Sequence, residues 1–307
     1  MERVLVTGAS GFLGNKMVLE LIAHGYEVIA AVRNAEKKHH FPDNPKLEVI
    51  ECDLDSDSDL ERLLETGTID TVYHFAWAGT SGTARKDAFL QLENVEKTLN
   101  LIETVKKMGC CRFIFAASIM EYEISELIDT EITTSENAFY SVAKLTADYM
   151  ARIKAEALGI EYIRAIISNV YGPGEKSARL INTTIRKLLA GEHCSFSPGE
   201  QMYDFVYIDD AVGQFIALGE RGIPYKSYYI GSSAPQKLKV FLTELGEVVA
   251  PGVELGIGEL PFDGISLDYG RFDISGIEQD TGFIQAVSFK DGINRTKDWI
   301  IENEGIK

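Results

Sequence analysis

A tyrosine and a lysine spaced four residues apart are the side chains in this sequence best suited to proton transfer. Tyr140 and Lys144 share one face of an expected helix, because four residues make about one helical turn. A free tyrosine has a pKa near 10; a cation close by, at an effective dielectric of about 20, contributes roughly 4 kcal/mol and lowers that pKa by about 3 units, while burial opposes the shift. Ser118 ends a predicted strand, where parallel sheets place their ligands. Together the three residues predict general acid/base chemistry.

A glycine-rich segment lies between the first predicted strand and the first predicted helix. It reads Gly8-Ala-Ser-Gly-Phe-Leu-Gly14, which suits a tight turn, close approach of the backbone to a pyrophosphate and a helix N-terminus that stabilises negative charge. The alternative is a turn without a ligand. Asp53, just past the third predicted strand, is expected to bind the adenine amino group, unless it only caps a helix. The residues of the segment expected to bind a dinucleotide are Gly8, Ser10, Gly11, Phe12, Leu13 and Gly14.

The end of the second predicted strand distinguishes between the two nicotinamide dinucleotides. An acid there would bind the adenosine ribose hydroxyls and repel a 2′-phosphate, but the segment reads Ala30-Ala-Val-Arg33-Asn34. Arg33 can pair with that phosphate, and Asn34 follows it. We therefore favour NADP over NAD; the alternative is that Arg33 is an exposed loop residue beside Lys37 and Lys38.

Charge and composition exclude several classes of partner. A formal net charge of −17 would repel nucleic acids and anionic membrane surfaces, and no apolar run approaches membrane-spanning length. We expect a cytoplasmic protein with reduced thiols, because no targeting segment precedes the first predicted strand and the cysteines lack Cys-x-x-Cys spacing: Cys52, Cys110, Cys111 and Cys194. We expect no metal, because no metal-ligand spacing relates His39, His40, His74 and His193.

Short β-branched runs alternate with longer amphipathic segments through the first half of the chain. This alternation predicts an α/β fold with a Rossmann-type doubly wound parallel sheet. The predicted strands are Val4 to Thr7, Glu27 to Val32, Leu47 to Cys52, Thr71 to Ala76, Phe113 to Ala117 and Tyr162 to Ile167. After Asn169 the pattern breaks at Gly172-Pro-Gly174. We expect residues 1–168 plus about 205–231 to form the dinucleotide-binding domain, and about 169–204 plus 232–307 a smaller substrate lobe.

A set of motifs along the whole chain resembles the extended short-chain dehydrogenase/reductase family, specifically its nucleotide-sugar epimerase, dehydratase and ketoreductase branch. The motifs are Thr7-Gly-Ala-Ser-Gly-Phe-Leu-Gly14, Cys52-Asp53-Leu54, His74-Phe-Ala-Trp77, Asn94 before Thr98, Ala116-Ala-Ser118, Tyr140 with Lys144, Asn169-Val-Tyr-Gly-Pro-Gly174 and Asp204-Phe-Val-Tyr-Ile-Asp-Asp210.

The resemblance implies roles for individual residues. Tyr140 would be the acid/base, Ser118 would hydrogen-bond the reacting oxygen, and Lys144 would bind the nicotinamide ribose and lower the tyrosine pKa. Asn169 would contact the sugar nucleotide. The cofactor would also be lined by Leu54, Phe75, Ala76, Trp77, Asn94 and Ala116.

One departure from the family pattern affects substrate binding. Family members usually carry an arginine before the Asp-Phe pair, reaching the substrate diphosphate, but this chain has Tyr203 before Asp204. Arg179, Arg186 or Arg271 would supply the charge instead, with Arg85 as a further option; the alternative for each is a solvated surface charge. The substrate-binding residues expected are Ser118, Asn169, Arg179, Tyr203 and Arg271.

Four functions fit these residues. Val32 and Arg33 favour an NADP-dependent keto-sugar (4-keto) reductase over an NAD-dependent nucleotide-sugar 4-epimerase, because a reductase must draw reduced cofactor from the cell on each turnover. The third function is a reductase of a small carbonyl compound, and the fourth is an NADP-sensing regulator without turnover. Dehydration is disfavoured, because Ile119-Met-Glu121 after Ser118 supplies at most one acid. The resemblance also implies a homodimer with a four-helix interface from segments near 90–108 and 140–158.

Overall fold

The computed structural model of this chain describes residues 1–34, 36, 41–128, 135–262 and 264–305, with the side chains of 126–128 left out. Four residues named from the sequence, Lys37, Lys38, His39 and His40, lie outside the described residues. In the part of the chain that is described, no helix is long and apolar enough to cross a membrane.

The strands number thirteen within the described residues. They are β1 (Arg3–Thr7), β2 (Glu27–Val32), β3 (Leu47–Glu51), β4 (Thr71–His74), β5 (Arg112–Ser118), β6 (Glu161–Ile167), β7 (Asn169–Tyr171), β8 (Ser195–Phe196), β9 (Met202–Tyr203), β10 (Phe205–Tyr207), β11 (Ser227–Ile230), β12 (Gln236–Lys237) and β13 (Gly256–Ile257).

The α-helices are α1 (Phe12–Ala23), α2 (Asp57–Glu65), α3 (Ala88–Lys107), α4 (Glu123–Ile128), α5 (Ala138–Ala157), α6 (Leu180–Leu189), α7 (Ile208–Arg221), α8 (Leu238–Val249), α9 (Gly276–Thr281) and α10 (Phe289–Glu304). Short 3-10 helices span Thr83–Lys86, Ile119–Tyr122 and Tyr269–Arg271.

The central sheet has the strand order β11-β6-β5-β4-β1-β2-β3. β1 pairs in parallel with β2 on one side and β4 on the other, with Val4 opposite Val28 and Thr71. The chain order therefore reverses between β1 and β4, which makes the carboxyl ends of these strands the crevice where such sheets bind ligands. This arrangement confirms the doubly wound parallel sheet predicted from the sequence.

Helices on the faces of the sheet explain why its strands are apolar along their whole length. Val4, Leu5 and Val6 of β1 are fully buried, as expected for a parallel strand covered on both faces. α5 lies close to the sheet through a row of buried small residues spaced four apart, Ala143, Ala147, Ala151 and Ala155. This helix carries Tyr140 and Lys144.

The chain divides into two compact units. The first comprises Met1–Ile167, Val212–Tyr228 and Gly276–Phe283, and the second comprises Ser168–Ala211, Tyr229–Ser275 and Ile284–Lys307. The sequence predicts the start of the middle segment near 205 rather than at 212, and assigns 276–283 to the smaller lobe. In the structure this segment carries Asp280, which accepts hydrogen bonds from Lys226 (2.5 Å) and Tyr228 (2.7 Å) of the first unit.

The second unit is organised around an aromatic cluster. β7 pairs in parallel with β10, and Tyr171 packs edge-on against Phe205 and Tyr207 at 6.4 and 5.7 Å between ring centroids. Phe289 of α10 closes the cluster 5.4 Å from Tyr171. A Cβ on Gly292 would lie 2.1 Å from the Tyr171 hydroxyl, so glycine is required where this helix meets the cluster.

Candidate active site

The turn after β1 is built so that only glycine fits at two of its positions. Gly8 has a φ of +68°, and a Cβ there would lie 2.7 Å from the Ala76 nitrogen. A Cβ on Gly14, in the first turn of α1, would lie 2.2 Å from the Gly8 carbonyl oxygen. The helix N-terminus therefore faces a close-fitting backbone cradle, which suits a pyrophosphate and fits a bound dinucleotide.

A cavity of about 200 Å³ opens beside this turn. Ten of the predicted cofactor residues line it: Gly8, Ser10, Gly11, Arg33, Asp53, Leu54, Phe75, Ala76, Trp77 and Asn94. The remaining ones are not among its lining residues: Phe12, Leu13, Gly14, Asn34, Ala116, Tyr140 and Lys144. The lining also includes residues that the sequence did not single out as contacts: Thr7, Ala31, Val32, Cys52, Ala78 and Lys97. Lys97 lies three residues after Asn94 on α3, and this helical spacing is a signal that would have found it.

Two side chains of α3 hold the loop that follows β4. The Asn94 carboxamide accepts from the Ala78 backbone nitrogen (2.8 Å) and donates to the Ala78 carbonyl (3.0 Å). The Gln91 carboxamide accepts from the Trp77 indole nitrogen (2.9 Å) and donates to the Gly79 carbonyl (2.9 Å). Asn94 thus lines the cavity and positions its wall, while Gln91, absent from the predicted site, orients Trp77.

Tyr140 and Lys144 both contact the ring of Trp77. The Tyr140 ring lies edge-on to Trp77 at 6.1 Å between centroids. The Lys144 Nζ lies 3.8 Å from the Trp77 ring centroid and 4.6 Å from that of Phe115. Arg85 brings a second cation, with its Cζ 4.5 Å from the Tyr140 ring centroid. The predicted tyrosine and lysine are therefore brought together, with an additional arginine beside them.

Ser118 lies at the carboxyl end of β5 and is buried. Its Oγ accepts a hydrogen bond from the Met120 backbone nitrogen (3.2 Å), and its own backbone nitrogen donates to Glu121 Oε1 (2.8 Å). These reciprocal bonds form a capping box on the Ile119–Tyr122 turn. The hydroxyl hydrogen stays available to a ligand oxygen, because the observed bond uses an oxygen lone pair.

Burial governs the charges at this site. It lowers the pKa of Lys144 to about 7, although the Glu121 and Asp148 carboxylates act against that shift. Burial also lowers the pKa of His74 to about 3, and the nearby Lys144 charge adds to the effect. His74 is therefore neutral, and its ring nitrogens bond Thr7 Oγ1 (2.8 Å) and Thr98 Oγ1 (3.0 Å). It holds β4 to its neighbours rather than transferring protons.

The predicted substrate residues after Ser118 lie in the second unit. Asn169 donates through Nδ2 to the Asp204 carbonyl (3.0 Å), and the Tyr203 ring stacks on Phe205 at 5.5 Å. Half-exposed Arg179 pairs with Glu175 at 3.3 Å. Arg271 ends the Tyr269–Arg271 turn.

Two further residues of the second unit have roles that the sequence did not predict. Arg186 pairs with Glu304 (2.7 Å) and donates to the Glu175 carbonyl (2.6 Å), so its guanidinium stabilises the second unit. Asp204 is fully buried and accepts from the Tyr229 hydroxyl (2.8 Å) and the Ser232 backbone nitrogen (2.9 Å). Burial raises the pKa of Asp204, while the hydrogen bonds from Ser232 and Tyr229 oppose that rise.

Outside the gaps left in the description, no group of three or more His, Cys, Asp or Glu side chains could hold a metal ion. The cysteines Cys52, Cys110, Cys111 and Cys194 are all free.

Comparison with known proteins gives one family and a consistent fold. A family model described as NAD dependent epimerase/dehydratase family matches residues 4–231. The CDP-abequose synthase of Salmonella typhimurium is 28% identical over 261 residues, covering 82% of each chain. A putative UDP-glucose 4-epimerase of Methanocaldococcus jannaschii is 28% identical over 67% of this chain and 70% of its own. The Bordetella bronchiseptica enzyme WbmF, solved in complex with NADH, shares the fold with a TM-score of 0.79 at 24% identity, covering 99% of this chain and 93% of that one.

Proposed function

Because this chain belongs to the NAD dependent epimerase/dehydratase family and is an enzyme of the extended short-chain dehydrogenase/reductase type, we propose that it reduces the 4-keto group of a nucleotide-linked hexose with NADPH. The observation that carries this choice lies at the end of β2. There Val32 and Arg33 line the cavity, in the place where an acid would bind the ribose hydroxyls of NAD.

The cavity composition supports the choice of cofactor. Arg33 would pair with the 2′-phosphate of NADP through a charge-assisted hydrogen bond, and Asp53, which also lines the cavity, would bind the adenine. Gly8 and Gly14 would accommodate the pyrophosphate. When bound, the nicotinamide supplies the hydride that a carbonyl reduction requires.

Three residues would perform the proton chemistry. Tyr140 donates its phenolic proton to the carbonyl oxygen as that oxygen gains charge. Ser118 donates a hydrogen bond to the same oxygen. The Lys144 ammonium lies over the Trp77 ring, which the Tyr140 ring also contacts. Its positive charge stabilises the tyrosinate that forms when Tyr140 gives up its proton.

The substrate class follows from the family and from the relatives. Two relatives carry the names of CDP- and UDP-linked sugar enzymes, which supports a sugar joined to a nucleoside diphosphate. Asn169 and Tyr203 of the second unit are the proposed contacts, with Arg179 or Arg271 supplying positive charge. Tyr203 offers an aromatic face where the family motif has a cation.

A spectrophotometric assay tests the proposal. The purified protein is incubated with a 4-keto-6-deoxy nucleotide sugar and NADPH, and we expect absorbance at 340 nm (the reduced nicotinamide band) to fall. Interconversion of a 4-hydroxyl epimer pair without added cofactor and without net oxidation would instead make the enzyme a 4-epimerase. Consumption of NADPH only with small ketones or aldehydes would identify a small carbonyl compound as the substrate.

We further propose a cytoplasmic homodimer. The four free thiols suit a reducing compartment. For the dimer, α3 and α5 pack against each other and expose large apolar side chains along one face: Phe89, Leu92, Phe139, Val142, Tyr149, Met150 and Ile153. Apolar surface of this extent is typical of a protein interface.

A further inference from the structure

A group of buried ionisable side chains lies behind the catalytic residues. Glu121 follows β5, Asp148 lies on α5, and Arg164 lies on β6. Their side chains are 0%, 3% and 12% exposed. None of these three is among the described residues that line the cavity beside the glycine turn.

Arg164 joins the two acids. Its guanidinium forms ion pairs with Glu121 and with Asp148, and also donates to the Tyr122 hydroxyl (3.1 Å). The Tyr162 hydroxyl donates to Asp148 Oδ1 (2.7 Å). Buried charges are costly to desolvate, and well-packed apolar residues often serve stability equally well. Stability alone therefore does not explain these three ionisable residues, and the residues that they hold in place indicate their role.

One end of the group holds the catalytic serine. Glu121 Oε1 accepts from the Ser118 backbone nitrogen (2.8 Å), while its Oε2 is held by Arg164. The Ser118 Oγ is fixed by the bond from the Met120 nitrogen within the same turn. The position of the serine hydroxyl therefore depends on a carboxylate that Arg164 fixes.

The other end faces the catalytic lysine. Asp148 lies one helical turn after Lys144 on α5, and both carboxylates favour the charged form of the buried ammonium. The Lys144 charge also acts on neutral His74, and the rings of Trp77 and Phe115 lie against its ammonium group. Burial raises the pKa of Glu121 to about 7 and also raises that of Asp148, while the Arg164 charge opposes both shifts. When both acids are ionised, the two carboxylates and the guanidinium carry a net charge of −1, which the Lys144 ammonium neutralises.

We propose that Glu121, Asp148 and Arg164 form a buried positioning network that fixes Ser118 through its backbone and favours the ammonium form of Lys144 against the cost of burying its charge. This inference rests on the catalytic assignment within the proposed function, whichever sugar is reduced. The network acts through Ser118 and Lys144 and does not touch the substrate.

The first experiment needs no substrate, so it remains informative if the proposed reaction is wrong. The protein is labelled with ¹³C at the lysine ε carbon, the Lys144 signal is assigned by its loss in Lys144→Arg, and its titration is followed by NMR. We expect a midpoint near pH 7. In Asp148→Asn the midpoint should fall by about one pH unit, because removing a nearby negative charge destabilises the ammonium. Glu121→Gln should lower it in the same direction.

A matched control removes a different ion-paired carboxylate. Glu161 lies on β6 with Arg164 but pairs with Arg112 at 2.6 Å, so Glu161→Gln should leave the Lys144 titration unchanged. An unchanged midpoint in both Asp148→Asn and Glu121→Gln would overturn the proposal for Lys144.

The second experiment tests the link to Ser118 by kinetics. Glu121→Gln keeps an oxygen that can accept from the Ser118 amide, whereas Glu121→Ala removes it. We expect kcat to fall by up to about 100-fold in Glu121→Ala with little change in KM, and the glutamine variant to recover most of that loss at a pH where Lys144 stays charged. If both variants retain the kcat of the unmodified enzyme, Glu121 does not position Ser118.

If Glu121→Ala fails to fold, the pH dependence of kcat in Glu121→Gln decides instead. The alkaline limb of that profile should move to lower pH, and an unmoved limb would count against the proposal.

Discussion

At the scale of single residues, we expect turnover to depend on the phenolic hydroxyl of Tyr140. Tyr140→Phe removes the proton donor and keeps the ring that contacts Trp77 and Arg85. We expect kcat to fall by about 100-fold or more, with the melting temperature and cofactor affinity unchanged. Steady-state rates at 340 nm and a cofactor titration measure both effects. Near-normal turnover in this variant would refute the proposed mechanism.

Arg33 is the residue expected to choose the cofactor. Arg33→Ala should weaken NADP binding by about 1.5 to 3 kcal/mol, the size of a hydrogen bond to a charged group, and leave NAD binding unaffected. Titration calorimetry with both cofactors measures the preference. Arg295→Ala, which removes a mostly exposed arginine of the second unit, serves as the control. Equal dissociation constants for NADP and NAD in the unmodified protein would contradict the assignment.

Several residues of the site were predictable from their local spacing, and others depend on contacts that spacing does not reveal. Tyr140 and Lys144 follow from helical periodicity, and the glycine turn follows from its place between a strand and a helix. Arg85 was named only for a diphosphate, yet it lies over the Tyr140 ring. Its neighbour is 55 residues away in the sequence, and no local pattern indicates that contact.

At the scale of elements, the turn between β1 and α1 is expected to be intolerant of an added side chain at Gly8 and Gly14. Gly14→Ala would place a Cβ 2.2 Å from the Gly8 carbonyl oxygen and 2.8 Å from its carbon, so the backbone must move. Overpacking of this kind costs about 1 to 3 kcal/mol, and we expect a lower melting temperature even without cofactor. Gly11→Ala is the control, because its Cβ would meet the same oxygen only at 3.2 Å. Equal melting temperatures for the two variants would argue against the close fit.

The ends of the strands show where sequence periodicity stops being informative. β2 spans Glu27–Val32, as predicted, but β4 ends at His74 rather than at Ala76. Beyond His74 the chain must pass the Gly8 turn, and α3 holds Ala78 through Asn94. The two- and three-residue strands of the second unit are too short to show an alternation of apolar and polar residues. Only the change of pattern after Asn169 indicates that shorter elements follow.

At the scale of the whole molecule, the boundaries of the units depend on contacts distant in sequence. Residues 276–283 belong to the first unit, where the Arg221 guanidinium donates to the Thr281 carbonyl (2.7 Å) and the Phe283 ring lies against Gly213. A Cβ at Gly213 would approach that ring to 2.6 Å. Nothing in the composition of this segment distinguishes it from its neighbours, which is why the sequence predicted it as part of the smaller lobe.

The apolar face of α3 and α5 determines the expected assembly. Phe89 is 80% exposed and Ile153 is 66% exposed, and burying such side chains in a dimer would contribute about 25 cal/mol for each Å² removed from water. We therefore expect light scattering after size exclusion to give twice the mass of one chain. The double variant Phe89→Glu with Ile153→Glu should elute as a monomer, because charges on this face would have to be buried unpaired. Ile284→Glu, at a residue 73% exposed in the second unit, should leave the dimer intact. A monomeric unmodified protein at micromolar concentration would show that this face does not pair with a second copy.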